Sequence, residues 1–158
     1  MTAVMEQPTQ IDPMTQASGP IRPPRPVLPD STRALLRVKS AETKVSGAGN
    51  NMLVLVLEAG DNRGLVDRDG DPILPSFDFL TRVVLNGTPD ENARKLRRVI
   101  YCVEKVGRGQ PAPYSPAELL ANPSILVGKE ADVTVRLEPG TDAFPDDKNS
   151  VKIWWTPN

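Results

Sequence analysis

Five short segments with the residue pattern of β-strands constrain the fold more than any other feature of the sequence. One of them, MLVLVLE at 52–58, is apolar on both faces and is typical of a central, covered strand. Another, EADVTVRLEP at 130–139, alternates apolar and polar residues, as a strand with one buried face does. The other three are RALLRVKSAETK at 33–44, FDFLTRVVL at 77–85 and VKIWW at 151–155. The chain is therefore expected to be mainly β.

One main helix is expected between the third and fourth strands. The stretch TPDENARKLRRVIYCVEKVG opens with a capping box formed by Thr88 and Glu91, and Gly107 is the expected stop. One arc of this helix is apolar, and the opposite arc carries Arg94, Arg97, Arg98, Tyr101, Lys105 and Arg108. A second capping box, SPAE at 115–118, predicts a short helix. Five strands with a helix midway favour a five-stranded oligonucleotide-binding (Greek-key) barrel, and a two-layer α+β sandwich is the alternative.

Residues 1–30 differ in composition from the rest of the chain. They contain seven of the 17 prolines and no aromatic residue. Such a segment buries too little apolar surface to offset the entropy of ordering, so it is either a disordered tail or an arm that docks on a neighbour. We expect a proline-rich extended arm at 1–30 and one barrel domain at 31–158.

Composition excludes several classes of active site. The chain has no histidine and one cysteine, Cys102, so histidine catalysis, histidine–metal sites and an internal disulfide are excluded. Walker, GxGxxG and nucleophile-elbow motifs are missing, and DRDGD at 67–71 lacks the spacing of a calcium loop. We expect a protein without catalytic activity, metal or cofactor. A signal peptide and a membrane span are not expected either, because the apolar run MLVLVL is too short to cross a bilayer.

Local clusters of positive charge are the remaining functional signal, since the net charge is only -1. Arginines on the helix arc suit phosphate oxygens, although a solvated helix surface is the alternative interpretation. In the last strand, alternation puts Trp154 beside Lys152 on one face and Trp155 on the other, so one indole should be exposed. Phe77 and Phe79 are expected to pack in the core. The candidate nucleic-acid-binding residues are Arg37, Lys39, Arg82, Arg94, Arg98, Lys152 and Trp154.

Four segments follow one another in a familiar order: TKVSGAGNNMLVLVLE, ENARKLRRVIYCVE, ILVGKEADVTVRLEPG and DDKNSVKIWWTP. Within the last two, LVGK at 126–129 and NSVK at 149–152 lead into strands. From about residue 33 to the end, the chain resembles a family of small phage-encoded proteins related to single-stranded DNA-binding proteins. The resemblance implies an oligonucleotide-binding barrel and a role in phage DNA replication or recombination, and it supplies no established binding residues.

Two functions from different classes follow as hypotheses. The first is a non-catalytic phage single-stranded DNA-binding protein in the host cytoplasm, with one exposed aromatic, expected to be Trp154, stacking on bases. The second is a structural virion protein, a capsid cement or decoration protein, with the barrel as a plug and the arm as a strap. The expected partners are single-stranded DNA, and either further copies of the chain or neighbouring phage proteins contacted by residues 1–30. No membrane partner is expected.

Overall fold

Five strands form one antiparallel sheet in the computed structural model, which describes residues 26–61, 64–107 and 109–157. They are β1 (Thr32–Val45), β2 (Asn51–Glu58), β3 (Asp78–Leu85), β4 (Glu130–Glu138) and β5 (Lys148–Trp154). Each strand overlaps a segment with a strand pattern in the sequence, and the main helix lies between β3 and β4. The prediction of a mainly β chain with a midway helix is therefore confirmed.

Strand β1 organises the sheet, because it pairs with two other strands. The order across the sheet is β3-β2-β1-β4-β5. Residues 32–37 of β1 pair with β4, and residues 37–45 pair with β2. The β1–β2 register shifts between Val38 and Ser40, so Lys39 bulges out of the ladder. A bulge of this kind bends a strand and increases its twist, which lets β1 serve both neighbours.

The two edge strands, β3 and β5, face each other across a gap that we call the seam. The backbone N–H of Val151 in β5 donates to the hydroxyl oxygen of Thr81 in β3 over 3.3 Å. Within the described residues, no backbone ladder joins these two strands. The backbone hydrogen bonds therefore leave the sheet open at the seam.

Residues 26–31, just before β1, lie against the far end of β4 and β5. Leu28 is fully buried, and its backbone N–H and C=O both bond to the side-chain amide of Asn149, over 2.8 and 3.0 Å. The backbone N–H of Ser31 donates to the carbonyl of Val135 over 2.8 Å. The last residues assigned to the arm thus pack on the sheet, whereas residues 1–25 lie outside the described residues.

Helix α1 (Pro89–Glu104) begins with the predicted capping box. The Glu91 N–H donates to Thr88 Oγ1 over 3.2 Å, and the Thr88 N–H donates to Glu91 Oε1 over 2.8 Å. The predicted stop at Gly107 is wrong. Lys105 ends the helix instead, in the left-handed conformation with φ 54° that glycine usually adopts there.

Apolar side chains from the inner face of the sheet and from the buried face of α1 form the core. The second predicted capping box, Ser115 with Glu118, starts the short helix α2 (Pro116–Ala121). A 3₁₀ helix (Pro123–Leu126) follows it. Phe77 and Phe79 are buried as predicted, with ring centroids 6.0 Å apart. The predicted inner face of β4 is also buried, through Ala131, Val133 and Val135.

Candidate nucleic-acid interface

The cations predicted on β1 lie on the outward face of the sheet, and each is paired with a carboxylate. Arg37 Nε donates to Glu58 Oε2 over 3.1 Å, and Lys39 Nζ donates to Asp78 Oδ2 over 3.1 Å. The hydrogen bond to Glu58 raises the pKa of Arg37 above its ordinary value. A nucleic-acid backbone would have to compete with these carboxylates, so this part of the sheet offers little unopposed positive charge.

Arg82 is exposed on the outward face of β3, beside the seam. It lines two small grooves there, of about 220 and 180 Å³, and Lys148 lines both of them as well. In the second groove, Arg136 joins these cations, and Glu138 is the one carboxylate. Burial raises the pKa of Glu138, but hydrogen bonds from Arg136 and Ser150 outweigh this effect and hold the pKa below its usual range. This groove carries a net positive charge, but Glu138 pairs with Arg136 over 2.8 Å and with Lys148 over 3.9 Å, so Arg82 is the cation that these pairs leave unopposed.

Three arginines on the polar arc of α1 lie outside the ion pairs of the described residues, although Glu91 interacts electrostatically with Arg94. Arg94, Arg97 and Arg98 are exposed, and none of them forms an ion pair within the described part of the chain. Residues three and four apart are neighbours on a helix surface, so these three side chains share one face. Lys105 differs, because its Nζ lies 3.5 Å from a carboxylate oxygen of Glu130. Of the other residues on this predicted arc, Tyr101 is half-buried, and Arg108 lies outside the described residues.

A shallow concavity of about 250 Å³ lies where β3 passes into α1. Its lining residues are Asn86, Gly87, Glu91, Arg94, Lys95 and Arg98. Lys95 Nζ donates to the carbonyl of Val84 over 2.8 Å and to Asn86 Oδ1 over 3.2 Å, which ties α1 to the end of β3. Glu91 is occupied by the helix cap, and the hydrogen bond from the Thr88 backbone lowers its pKa. Three cations and one carboxylate thus line this concavity, and Arg94 and Arg98 are the cations that no hydrogen bond within it engages.

The last strand departs from simple alternation. The β4–β5 ladder steps from Val151 directly to Ile153, so Lys152 bulges outward and is exposed. The extra residue shifts the faces that follow it, and Trp154 lies opposite the buried Val133 and packs against the core. The prediction that Trp154 is the exposed indole beside Lys152 is therefore wrong.

Trp155 is the tryptophan that remains accessible, with 37% of its surface exposed. Its Nε1 donates to Thr134 Oγ1 over 2.8 Å. The guanidinium of Arg33 lies over the ring, 4.1 Å from its centroid. Arg33 is held in turn by Asp132, whose oxygens accept from Nε and Nη2 over 3.0 and 2.8 Å. Residues of β1 and β4 thus fix the indole in place.

Phe144, in the loop between β4 and β5, is the most exposed aromatic side chain in the described residues, at 75%. Its N–H donates to Thr141 Oγ1 over 3.2 Å, and the Thr141 N–H donates to its carbonyl over 2.8 Å. Gly140 fixes the base of the loop, because its N–H donates to Asp147 over 2.7 Å and a Cβ there would overlap the carbonyl of Pro145. In the sequence, Phe144 lies inside the acidic turn TDAFPDD, and an aromatic residue in such a turn indicates an exposed ring. Phe144 is not among the candidate residues predicted from the sequence.

Other site chemistries find little support in the described residues. They contain no group of three or more His, Cys, Asp or Glu that could hold a metal ion. Burial raises the pKa of the Cys102 thiol to about 11, and a thiol of this kind is a poor nucleophile at neutral pH. None of the described helices is both long and apolar enough to cross a membrane. The surfaces described above offer binding through unpaired cations and exposed aromatic rings.

Comparisons with known proteins do not place the chain in a family. No protein-family model matches it, and no curated protein matches its sequence. The resemblance to small phage-encoded proteins therefore rests on the sequence segments alone and stays a prediction.

Proposed function

We propose that the protein is a non-catalytic, phage-encoded single-stranded DNA-binding protein that protects or organises DNA during replication or recombination in the host cytoplasm. The observation that carries this proposal is the row of unpaired arginines on α1: Arg94, Arg97 and Arg98. Placing charged side chains without partners on one helix face favours binding of a polyanion, because phosphate contacts release counterions and gain affinity from that release.

The fold supports the same proposal. In an oligonucleotide-binding barrel, five strands form a partly open Greek key, and the face of the second and third strands binds the ligand together with two loops. Here the order β3-β2-β1-β4-β5 places β3 and β5 at the two edges, and a hydrogen bond from Val151 to Thr81 brings these edges together. We therefore interpret the sheet as such a barrel, opened along the seam.

Two groups of cations, one at the seam and one at the α1 concavity, lie along this proposed binding face. They comprise Arg136, Lys148, Arg82, Lys95, Arg94 and Arg98. Arg82 lies four residues before Asn86, about 13 Å along the strand at the usual rise per residue, so β3 connects the seam to the α1 concavity. We call these six residues the cationic path. Single oligonucleotide-binding domains cover about 4–16 nucleotides, and a path of this length suits the lower part of that range.

Phe144 supplies the stacking group that the proposal needs in place of Trp154. It lies in the β4–β5 loop, a few residues before Asp147 and Lys148, which line the first seam groove. An exposed aromatic ring stacks on bases of any sequence, and each stacked base contributes about 1–3 kcal/mol. Arg82 and Lys148 supply the positive charge of this groove, and Asp78 and Asp147 balance it. Trp154 is not part of the proposed surface, because it packs against the core.

Binding of a fluorescently labelled oligo-dT to the full chain tests the proposal. We expect an anisotropy rise at low salt and a log–log salt slope of about -2 when Arg82, Arg94 and Arg98 contact phosphates, at about 0.7 per contact. The other three cations of the path already have partners, because Arg136 and Lys148 pair with Glu138 and Lys95 bonds to Val84 and Asn86. An oligo-dA of equal length should bind comparably, and a duplex more weakly. If no binding occurs at about 20 mM salt with micromolar protein, where electrostatic binding is strongest, the proposal fails.

The structural virion protein remains a second candidate, favoured by the outer face of β1, β4 and β5. Leu35, Ile153 and Trp155 are 45, 38 and 37% exposed there, and the nearby charges of Arg33 and Asp132 are paired. Such a face suits a protein partner better than a polyanion. Mass spectrometry of purified virions separates the two candidates, because a cement or decoration protein is present in many copies per particle and a replication protein is absent.

A further inference from the structure

A groove of about 450 Å³ opens on the side of the molecule where β4 begins and the chain leaves β5. Its apolar wall is formed by Trp155, Leu35 and Pro157, and its polar wall includes Glu130 and Asp132. The indole is immobilised by its hydrogen bond to Thr134 and by the guanidinium above it. A rigid aromatic ring in the wall of an open groove is a preorganised binding feature.

The charges around this groove argue against DNA as its ligand. Arg33 is bound through two hydrogen bonds to Asp132, and Lys105 lies 3.5 Å from Glu130, so the cations are matched by acids. The two carboxylate side chains are accessible, at 53% for Glu130 and 39% for Asp132. The four charges of the groove cancel in two pairs, but each exposed carboxylate keeps lone pairs that can accept further hydrogen bonds from a cationic ligand with an apolar surface.

The chain itself contains a segment with this chemistry, PIRPPRP at residues 20–26. Polyproline II has three residues per turn, so Pro20, Pro23 and Pro26 would share one face of such a helix. Arg22 and Arg25, also three apart, would share another face. Aromatic-lined grooves recognise proline-rich segments in this way, and the prolines keep the entropy lost on docking small.

We propose that the Trp155 groove of one copy binds the proline-rich segment 20–25 of another copy. The prolines would pack on the indole and Leu35, and the two arginines would face Glu130 and Asp132. This proposal is independent of DNA binding, and it assigns a receptor site to the N-terminal arm.

Chain length requires that the contact be made between copies. Pro26 lines a groove with Asp147 and Lys148, at the start of β5, whereas Trp155 follows the end of that strand. The seven residues of β5 span about 20 Å at the usual rise per residue. From Pro26 back to Arg22, an extended proline-rich chain covers only about 12 Å. Arg22 of a copy is therefore too close in sequence to Pro26 to reach Glu130 and Asp132 of its own groove.

A contact of this kind joins two different surfaces, so it propagates from copy to copy. Heterologous contacts close into rings or continue as open chains, depending on the rotation between neighbours. The association state of the protein should therefore extend beyond a dimer as the concentration rises. In the presence of a bound strand, the same contact would link adjacent copies.

Sedimentation velocity of the full chain without DNA, from about 1 to 100 µM, tests the proposal through mass action. We expect wild type to form species larger than dimers, and Trp155→Ala to weaken association at least tenfold. The double variant R22E/R25E should weaken it comparably. Leu74→Ala, which truncates an exposed apolar side chain elsewhere, is the control and should associate like wild type.

Mixing provides the sharper measurement, because each variant retains one half of the contact. Trp155→Ala has an intact arm, and R22E/R25E has an intact groove, so an equimolar mixture should form dimers that neither variant forms alone. If Trp155→Ala impairs folding, Glu130→Arg replaces it, and combining it with R22E/R25E should restore association. A monomeric wild type at the highest concentration, or association that persists in R22E/R25E, overturns the proposal. Neither outcome bears on oligo-dT binding, so the two proposals fail separately.

Discussion

Strand β1 and helix α1 both present a row of cations to solvent, and the two rows differ in what lies beside them. Arg33, Arg37 and Lys39 of β1 each have a carboxylate partner within hydrogen-bonding distance. On α1, none of the three exposed arginines forms an ion pair within the described residues. The same residue types thus stabilise the sheet surface in one place and remain available for a ligand in the other.

This difference shows why counting cations on a surface overestimates its affinity for a polyanion. A paired surface cation must leave its carboxylate before it contacts a phosphate, so its net gain is small. An unpaired arginine needs only to be desolvated, and it can bind two phosphate oxygens with its planar guanidinium. The comparison therefore predicts that α1 contributes more to DNA binding than β1 does.

The largest expected effect comes from removing arginines of α1. Arg94→Gln combined with Arg98→Gln should lower the affinity for oligo-dT about tenfold or more, because hydrogen bonds to charged groups contribute about 1.5–3 kcal/mol each. The magnitude of the log–log salt slope should fall by about 0.7 for each lost phosphate contact. Fluorescence anisotropy over a series of salt concentrations measures both quantities.

The matched control is Arg37→Gln combined with Lys39→Gln, which changes the net charge of the chain by the same amount. Because both cations are already paired, this variant should bind within about twofold of wild type, as expected for exposed ion pairs. Equal losses in the two double variants would show that only the net charge matters, and would contradict the distinction between the rows.

The α1 row could largely be predicted from the sequence, because its determinants are local. The capping box of Thr88 and Glu91 is visible as a spacing of three residues, and helical periodicity places the arginines on the exposed arc. The end of the helix was less predictable. Lys105 adopts the left-handed conformation two residues before Gly107, and its backbone N–H donates to the carbonyls of Cys102 and Tyr101.

The β1 row could not be predicted, because its partners are distant in the sequence. Arg37 and Glu58 are 21 residues apart, and Lys39 and Asp78 are 39 apart. The ladder register that brings them together includes a bulge at Lys39, which no local residue pattern marks. No local residue pattern marks the bulge at Lys152 either. Its extra residue reverses the faces that follow it, so Trp154 rather than Trp155 packs against the core.

The helix cap allows the α1 row to be perturbed without removing a cation. Thr88→Ala deletes the capping hydroxyl, and loss of an N-cap typically costs about 1 kcal/mol of stability. We expect a lower melting temperature by circular dichroism, whereas oligo-dT affinity should change by less than about twofold, because the arginines lie beyond the first turn. A large loss of affinity at a small loss of stability would indicate that the cap itself contacts DNA.

The β1 row can be made to resemble the α1 row by removing one of its carboxylates. Glu58→Gln removes the hydrogen-bonded carboxylate of Arg37 and leaves the weaker interactions with Asp61 and Glu130, so the affinity for oligo-dT should rise about threefold and the salt slope should steepen by about 0.7. Asp71→Asn, in the loop between β2 and β3, makes the same change in net charge and serves as the control. A similar gain in both variants would attribute the effect to overall charge rather than to the release of Arg37.

The smallest expected effect is a pH dependence of stability that comes from Glu91, the acid in the capping box of α1. Hydrogen bonds from Thr88 lower the pKa of Glu91, so its ionised form stabilises the folded chain. This contribution is fully present above the pKa of an unfolded glutamate, about 4.3, and is lost as the pH falls through the lower pKa of the folded state. Wild type should therefore have a higher melting temperature than Glu91→Gln at pH 7, and this difference in melting temperature should disappear in acid. Thermal melts of both proteins at several pH values measure it, and a difference that grows on acidification would contradict the assigned role of Glu91. The affinity for oligo-dT should rise somewhat as Glu91 is protonated, because Glu91 is the one carboxylate that lines the concavity with Arg94 and Arg98.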